Sequence, residues 1–226
     1  MRGWFVTGTD TNVGKTWVSV ALMRALREQG HRVLAMKPVA SGCRATPDGL
    51  RSDDALLLQE AASERLPYER VNPYAFEPPI APHVAARQAS ITIELARIGA
   101  EAHALGAECD FLIVEGVGGW RVPLNRTQGV SDMAARLRLP VILVVGMRLG
   151  CINHALLTAE SIQHSGLPLA GWVANMVEPE MEAVAEVVRE LTLLLPAPFL
   201  GLMPHMHGRK PGQGAPALDL APLLRL

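Results

Sequence analysis

A chain of 226 residues, 49% hydrophobic and 19% charged, is long enough for one α/β domain with a sizeable core, and nothing in it demands a second. A formal net charge of −1 gives no global field to recruit nucleic acid or an anionic membrane. No apolar run approaches the roughly 18 residues of a membrane helix. Three cysteines (Cys43, Cys109, Cys151), without metal-ligand spacing, read as reduced thiols of a cytoplasmic protein, and an N-terminus running straight into a strand argues against a cleaved signal peptide.

Residues 3–8 are expected to form a strand and residues 15–29 a helix, with Val18, Ala21, Leu22, Ala25 and Leu26 at helical spacing and Gly30 as the stop. Residues 31–36 give a second strand, so the chain opens with a βαβ unit and its right-handed crossover. Residues 38–50, rich in Pro, Gly, Ser and Ala, read as a loop, and Ser52 as a helix N-cap before Leu56, Leu57 and Leu58. Prolines 67, 73, 78, 79 and 82 exclude a long regular element between residues 67 and 82. The pattern then predicts a helix over 92–107, a buried strand over 111–114 ending at Glu115, a strand over 141–145, and a helix over 153–165. A strand over 169–174, a helix over 180–195 and a short strand over 199–202 follow. Residues 208–216, dense in Gly and Pro, are expected to be loosely held. Alternating helices and near-continuously apolar strands predict an α/β fold with a doubly wound, mainly parallel sheet.

In such sheets ligands lie beyond the carboxyl ends of the strands, where the unusual residues of this chain collect. The first strand leads into Gly8-Thr9-Asp10-Thr11-Asn12-Val13-Gly14-Lys15-Thr16. Counted from Thr9, this matches the phosphate-loop pattern G-x-x-x-x-G-K-[ST] with Thr in place of the first Gly. Backbone N–H groups and the helix N-terminus would cradle an anion, Lys15 would reach the β/γ-phosphates and the Thr16 hydroxyl would ligate Mg2+. The expected architecture is therefore that of phosphate-loop nucleotide hydrolases. Glu115 ends a hydrophobic strand where such folds place an acid for Mg2+, and Gly118 and Gly119 let backbone approach a phosphate or base. Mg2+ takes oxygen ligands, so Thr16, one of Asp53 or Asp54, and Glu115 form a sensible set. Lys37, beside Ser41 and Gly42, suits charge stabilisation during phosphoryl transfer.

Residues 149–154 turn from a strand into a helix and offer a second anion site, suited to a carboxylate. Cys151 and His154 sit on one helical turn, where a small buried thiol is the simpler reading of Cys151 than a nucleophile. His205 and His207 have no third ligand near them in sequence, so a metal there is weakly indicated.

The segments GTDTNVGKT (8–16), KPVASG (37–42), Asp54, VNPYAF (71–76), VEGVGGW (114–120), PVILVVGMRLGCINHALLTA (140–159), LAGWVAN (169–175) and LLPAPFLG (194–201) together resemble the dethiobiotin synthetase family, in order, to about residue 204. The resemblance implies an ATP-dependent cyclo-ligase of biotin synthesis that joins 7,8-diaminononanoate and CO2. One amine captures CO2 as a carbamate, the carbamate takes the γ-phosphoryl group as a mixed anhydride, and the second amine closes the ureido ring. By the same resemblance Lys37, Lys15 and Thr11 are catalytic, and Thr16, Asp54 and Glu115 hold Mg2+. ATP lies along Asn12, Val13, Gly14, Lys15, Thr16, Asp54, Glu115, Gly116, Val117 and Gly118, with adenine at Asn175, Met176, Pro204, His205 and Met206. The diamine lies against Thr11 and Ser41, and Gly150, Cys151, Ile152 and Asn153 of a partner subunit bind its carboxylate, which implies a homodimer. The hydroxyls of Thr9 and Thr11 read as part of the wall that holds the carbamate.

Three positions depart from the family pattern. Asn12 stands where an acidic residue is common, Met176 where an Asp is often found, and Ala81 where a hydroxyl-bearing residue is usual. The first removes a charge near the phosphates or amine, and the others loosen contacts to adenine and substrate. A partitioning-type ATPase switch is the rival reading. Its signature Lys near the start of the loop is replaced here by Thr9, Asp10 and Thr11.

Overall fold

A computed structural model of the chain describes residues 1–205 and 218–225. In chain order the elements are β1 (Gly3–Gly8), α1 (Lys15–Glu28), β2 (Val33–Met36), β3 (Val39–Ser41), β4 (Arg44–Thr46), β5 (Gly49–Arg51), α2 (Asp53–Ala61), α3 (Tyr68–Val71), β6 (Tyr74–Phe76) and α4 (Pro82–Gln88). There follow α5 (Leu95–Ala107), β7 (Phe111–Glu115), α6 (Val130–Leu137), β8 (Val141–Met147), α7 (Cys151–His164), β9 (Leu169–Met176), α8 (Val184–Leu194), β10 (Phe199–Met203) and α9 (Ala221–Leu224). No described helix is long and apolar enough to cross a membrane.

Six strands form one parallel sheet in the order β10-β9-β8-β1-β7-β2. Both of its faces are dry, as the side-chain alternation along β8 and β9 shows. Leu143, Val145 and Met147, with Trp172 and Ala174, pack into a core completed by Leu191 of α8 and by Cys151, Ala155 and Ala159 of α7. Their neighbours Ile142, Val144 and Val173 point the other way into the larger core. A strand buried on both faces reads as a continuous apolar run, which is why these strands are legible in sequence.

The short elements are where the expectations needed correction. Residues 38–50 are not simply a loop. Val39–Ser41 pairs in parallel with Tyr74–Phe76, and Arg44–Thr46 turns back on Gly49–Arg51 as a hairpin. Three-residue strands carry too little pattern to announce themselves, and β3 gains its partner only when the proline-rich segment folds against it. The helix α6 was not anticipated; Asp132 starts it by accepting the Gly129 N–H at 2.7 Å. Helix α8 starts four residues late, at Val184, because Ala183 adopts a left-handed φ of 54°. Ser52 caps α2 as expected, accepting the Ala55 N–H at 3.4 Å. The expected loose segment at 208–216 lies outside the described residues.

Candidate active site

Parallel register brings the charged residues together. Met36 of β2 lies beside Val114 of β7, so the next residues on the two strands, Lys37 and Glu115, emerge side by side. Val6 of β1 lies beside Glu115, and α1 starts just beyond β1, which carries Thr16 to the same point. Lys37 Nζ donates to Glu115 Oε1 at 2.6 Å and to Asp54 Oδ2 at 2.8 Å, and Thr16 Oγ1 donates to Glu115 Oε1 at 2.9 Å. Lys37 and Glu115 are only 3% and 0% exposed. Asp54 faces this cluster, while Asp53 points outward to pair with Arg44 at 2.6 Å.

Burial opposes the charge on Lys37, but the carboxylates of Glu115 and Asp54 outweigh it and hold the ammonium above the ordinary lysine range. Asp54 is pulled below the usual carboxylate range because Lys37, with help from the Thr16 hydroxyl and Lys15, outweighs the cost of its burial. Lys15 is lowered to about 8, chiefly by burial and then by the positive charge of Lys37. Without an anion, its ammonium rests on the Asp10 carbonyl at 2.9 Å.

The phosphate loop owes its shape to two left-handed residues, Asn12 at φ 58° and Gly14 at φ 89°. Asn tolerates that region better than most side chains, so the residue that departs from the family pattern is compatible with the turn. The loop is braced by Asn175 Nδ2 donating to the Val13 carbonyl at 2.9 Å, and by Thr9 Oγ1 accepting the Gly146 N–H at 3.4 Å. That second bond turns Thr9 toward the end of β8. Thr9 therefore lines none of the cavities around the loop, unlike Thr11.

Three cavities surround the loop. One of about 370 Å³ is walled by Gly14, Trp17, Asn175, Met176, Val177, Pro204 and His205. A second, about 250 Å³, sits over Lys15, Thr16, Asp54 and Glu115. The third, about 540 Å³, is lined by the polar Thr11, Lys15, Lys37, Ser41 and Asp54 together with the apolar Ala40, Pro79, Ile80, Ala81, Pro82, Val117 and Val122. Asn12 borders all three. A cleft beside Trp17 and Asn175, a phosphate cleft over Lys15 and Thr16, and an amphipathic pocket thus meet at one loop.

Most of the residues singled out in the sequence converge here, with some reassigned. Val117 and Gly118 border the amphipathic pocket rather than the phosphate cleft, because Gly118 turns at φ 61° away from it. Gly116 faces Phe5 and lines no cavity of the three. Gly150, Cys151, Ile152 and Asn153 open α7 and border none of these cavities in their own chain; Cys151 is 2% exposed and packs in the core beneath α7. Met206 and His207 lie outside the described residues. No cluster of three or more His, Cys, Asp or Glu able to hold a metal occurs among the described residues. The oxygen set is nonetheless suited to Mg2+, since Glu115 Oε2 is buried without any hydrogen-bond partner while its other oxygen is doubly engaged.

The supports carry little mark in the sequence. Asn72 Nδ2 donates to the Lys37 carbonyl at 2.6 Å, Asn72 Oδ1 accepts from the Tyr68 hydroxyl at 2.9 Å, and that hydroxyl accepts the Ser52 N–H at 2.7 Å. This buried chain fixes the strand end bearing Lys37 relative to the helix bearing Asp54. Tyr68→Phe is expected to destabilise the fold by about 1–3 kcal/mol, the scale of leaving buried groups unpaired. Chemical denaturation measures it, and an unchanged midpoint would show the chain to be unimportant. Trp17 and Val177 were missed because apolar side chains on a cleft wall look like core.

A family model described as an AAA domain matches residues 2–211. The ATP-dependent dethiobiotin synthetase BioD of Pseudomonas paraeruginosa is 53% identical over 99% of this chain and 98% of its own length. The protein named ATP-dependent dethiobiotin synthetase BioD 1 from Escherichia coli O157:H7 is 51% identical over 90% of each chain. Among solved structures, the MinC:MinD cell division protein complex of Aquifex aeolicus aligns with a TM-score of 0.59 at 15% identity, over 92% of this chain and 83% of that one. A ParA family ATPase from Chlorobium tepidum aligns at 0.54 with 16% identity, over 92% and 86%. These structural likenesses establish the parallel-sheet fold, and the sequence likeness goes further: this chain belongs to the ATP-dependent dethiobiotin synthetase family.

Proposed function

We propose that the protein is an ATP- and Mg2+-dependent ligase that closes the ureido ring of dethiobiotin from 7,8-diaminononanoate and CO2, in biotin biosynthesis. The observation that carries the reading is Lys37, buried at the amphipathic pocket and hydrogen-bonded to Asp54 and Glu115, which border the phosphate cleft. A switch ATPase has no need of an apolar-walled pocket of about 540 Å³ opening onto its phosphate lysines.

The diamine's hydrocarbon chain lies against Pro79, Ile80, Ala81 and Val122, and its amines lie toward Thr11, Lys37 and Ser41. Ser41 Oγ is buried without a partner, as befits a hydroxyl kept for a ligand. One amine adds to CO2, forming an N–C bond and losing a proton to give a carbamate. Lys15 and Lys37 stabilise its charge. A carbamate oxygen then attacks the γ-phosphorus and the bond to the ADP oxygen breaks. Lys15 follows the transferring charge, and little covalent help is needed because positioning and charge neutralisation dominate such transfers. The second amine attacks the carbamoyl carbon, and inorganic phosphate leaves as the ring closes. Thr16, Asp54 and Glu115 would hold Mg2+, which would supply further neutralisation of phosphate charge. It is needed because the two lysines and two carboxylates already cancel, leaving no net charge to meet a triphosphate.

In this reading a homodimer presents Gly150, Cys151, Ile152 and Asn153 of one subunit to the diamine carboxylate in the other. The N-terminus of the 14-residue α7 supplies free N–H groups for that anion. Asn175, Met176, Pro204 and His205 take the adenine. Given ATP, Mg2+ and bicarbonate, the purified protein is expected to release phosphate only when 7,8-diaminononanoate is added. Equal release without the diamine would favour the switch ATPase.

A further inference from the structure

A separate cavity of about 600 Å³ lies on the far side of the substrate wall, between α4 with the turn after it and the loop at residues 124–128. Its walls continue those of the amphipathic pocket: Pro82 borders one cavity and His83 the next, and Val122 borders one and Leu124 the other. The two walls are pinned together. Asn125 Nδ2 donates to the Ile93 carbonyl at 3.1 Å, and Asn125 Oδ1 accepts the N–H groups of Thr127 and Gln128 at 3.1 and 2.9 Å.

The chemistry of the lining is one-sided. Arg87 and Arg126 both border the cavity, with the hydroxyls of Ser90, Thr92 and Thr127, and no acidic side chain does. Neither arginine has an acidic partner among the described residues. His83 lines the same space, and its Nδ1 is buried without a hydrogen-bond partner. Of the apolar residues that border it, Ile91 is 45% exposed and gives an apolar floor, while Ala86, Ile93 and Leu124 are buried. The volume far exceeds that of a bare oxyanion and lies in the range of small-molecule sites, which combine an apolar lining with a few placed polar groups.

We infer that this cavity is a second ligand site, distinct from the nucleotide and diamine pockets, for a small organic monocarboxylate with an apolar body. Its carboxylate lies between Arg87 and Arg126, which can each fork onto it, and its hydrocarbon part lies on Ile91. The inference does not rest on the ligase reading, because neither arginine borders the phosphate or amphipathic cavity.

Titration calorimetry with octanoate, on protein saturated with a non-hydrolysable ATP analogue, tests it. One octanoate per chain is expected, and the double variant Arg87→Gln/Arg126→Gln should weaken it at least ~10-fold, as two charge-assisted contacts are lost. The variant should keep the parent's melting temperature and ATP affinity. Inorganic phosphate in place of octanoate should bind at least ~10-fold more weakly, since it cannot use the apolar floor. Absent octanoate binding, or binding that the double variant keeps, overturns the site. Phosphate binding as tight as octanoate overturns the assignment to a carboxylate with an apolar body.

Discussion

Replacing Lys37 by methionine is expected to lower kcat for diamine-dependent phosphate release at least ~10²-fold, the scale of losing one preorganised charge contact. Lys37 is 3% exposed and lines the amphipathic pocket, bonded to Asp54, which borders both that pocket and the phosphate cleft, so water has little room to replace its ammonium. The same change carries a second, separable cost. Glu115 is 0% exposed and would keep only the Thr16 hydroxyl at 2.9 Å. Leaving such a carboxylate without its cation costs about 3 kcal/mol of stability. Adding Glu115→Gln to Lys37→Met should recover most of that stability, measured by denaturant melts, but none of the activity. An unchanged kcat in the single variant would remove Lys37 from the chemistry. A double variant as unstable as the single one would mean that packing, not charge pairing, sets the cost.

The second large effect concerns Gly14. Its φ of 89° lies in the left-handed region, and a Cβ built there would stand 2.1 Å from Asn175 Nδ2. Asn175 is 8% exposed and holds the Val13 carbonyl at 2.9 Å, so it cannot simply swing aside. Gly14→Ala therefore meets about 1–2 kcal/mol of backbone strain and about 1 kcal/mol for the broken hydrogen bond. The loop can shed that strain only by moving, and the moved loop no longer aims its N–H groups at the phosphates. ATP affinity should fall about 30- to 100-fold, the equivalent of those energies. Calorimetry with a non-hydrolysable analogue reads the effect, and an affinity within about twofold of the parent would show that the loop tolerates the methyl group.

The legible part of the fold was the part with long, uniform physics. Strands buried on both faces carry unbroken apolar runs, and helices such as α1 carry their apolar residues at helical spacing. Residues 38–50 failed because β3, β4 and β5 are three residues each and acquire partners only through tertiary pairing. Helix α6 escaped because it is only eight residues long and follows a polar loop. In the site, residues with distinctive chemistry at strand ends and helix starts were legible: Lys15, Thr16, Lys37 and Glu115, with the choice between Asp53 and Asp54 left to the family resemblance. The residues that hold them, Asn72 and Tyr68, and the wall residues Trp17, Val122 and Val177 had no such mark.

The sequence by itself determined the phosphate loop, the order of the long helices and the main-sheet strands, and the set of charged groups at the carboxyl edge of the sheet. Those features follow from local composition and periodicity, which survive without a partner segment. The tertiary structure decided which charges meet. Parallel register put Lys37 beside Glu115, a buried hydrogen-bond chain set the distance to Asp54, and the facing of α2 chose Asp54 over Asp53. Thr9 and Thr11 are alike in sequence, yet one braces β8 and the other lines the pocket. Such choices depend on distances of a few ångströms between segments far apart in the chain, and one-dimensional pattern does not encode them.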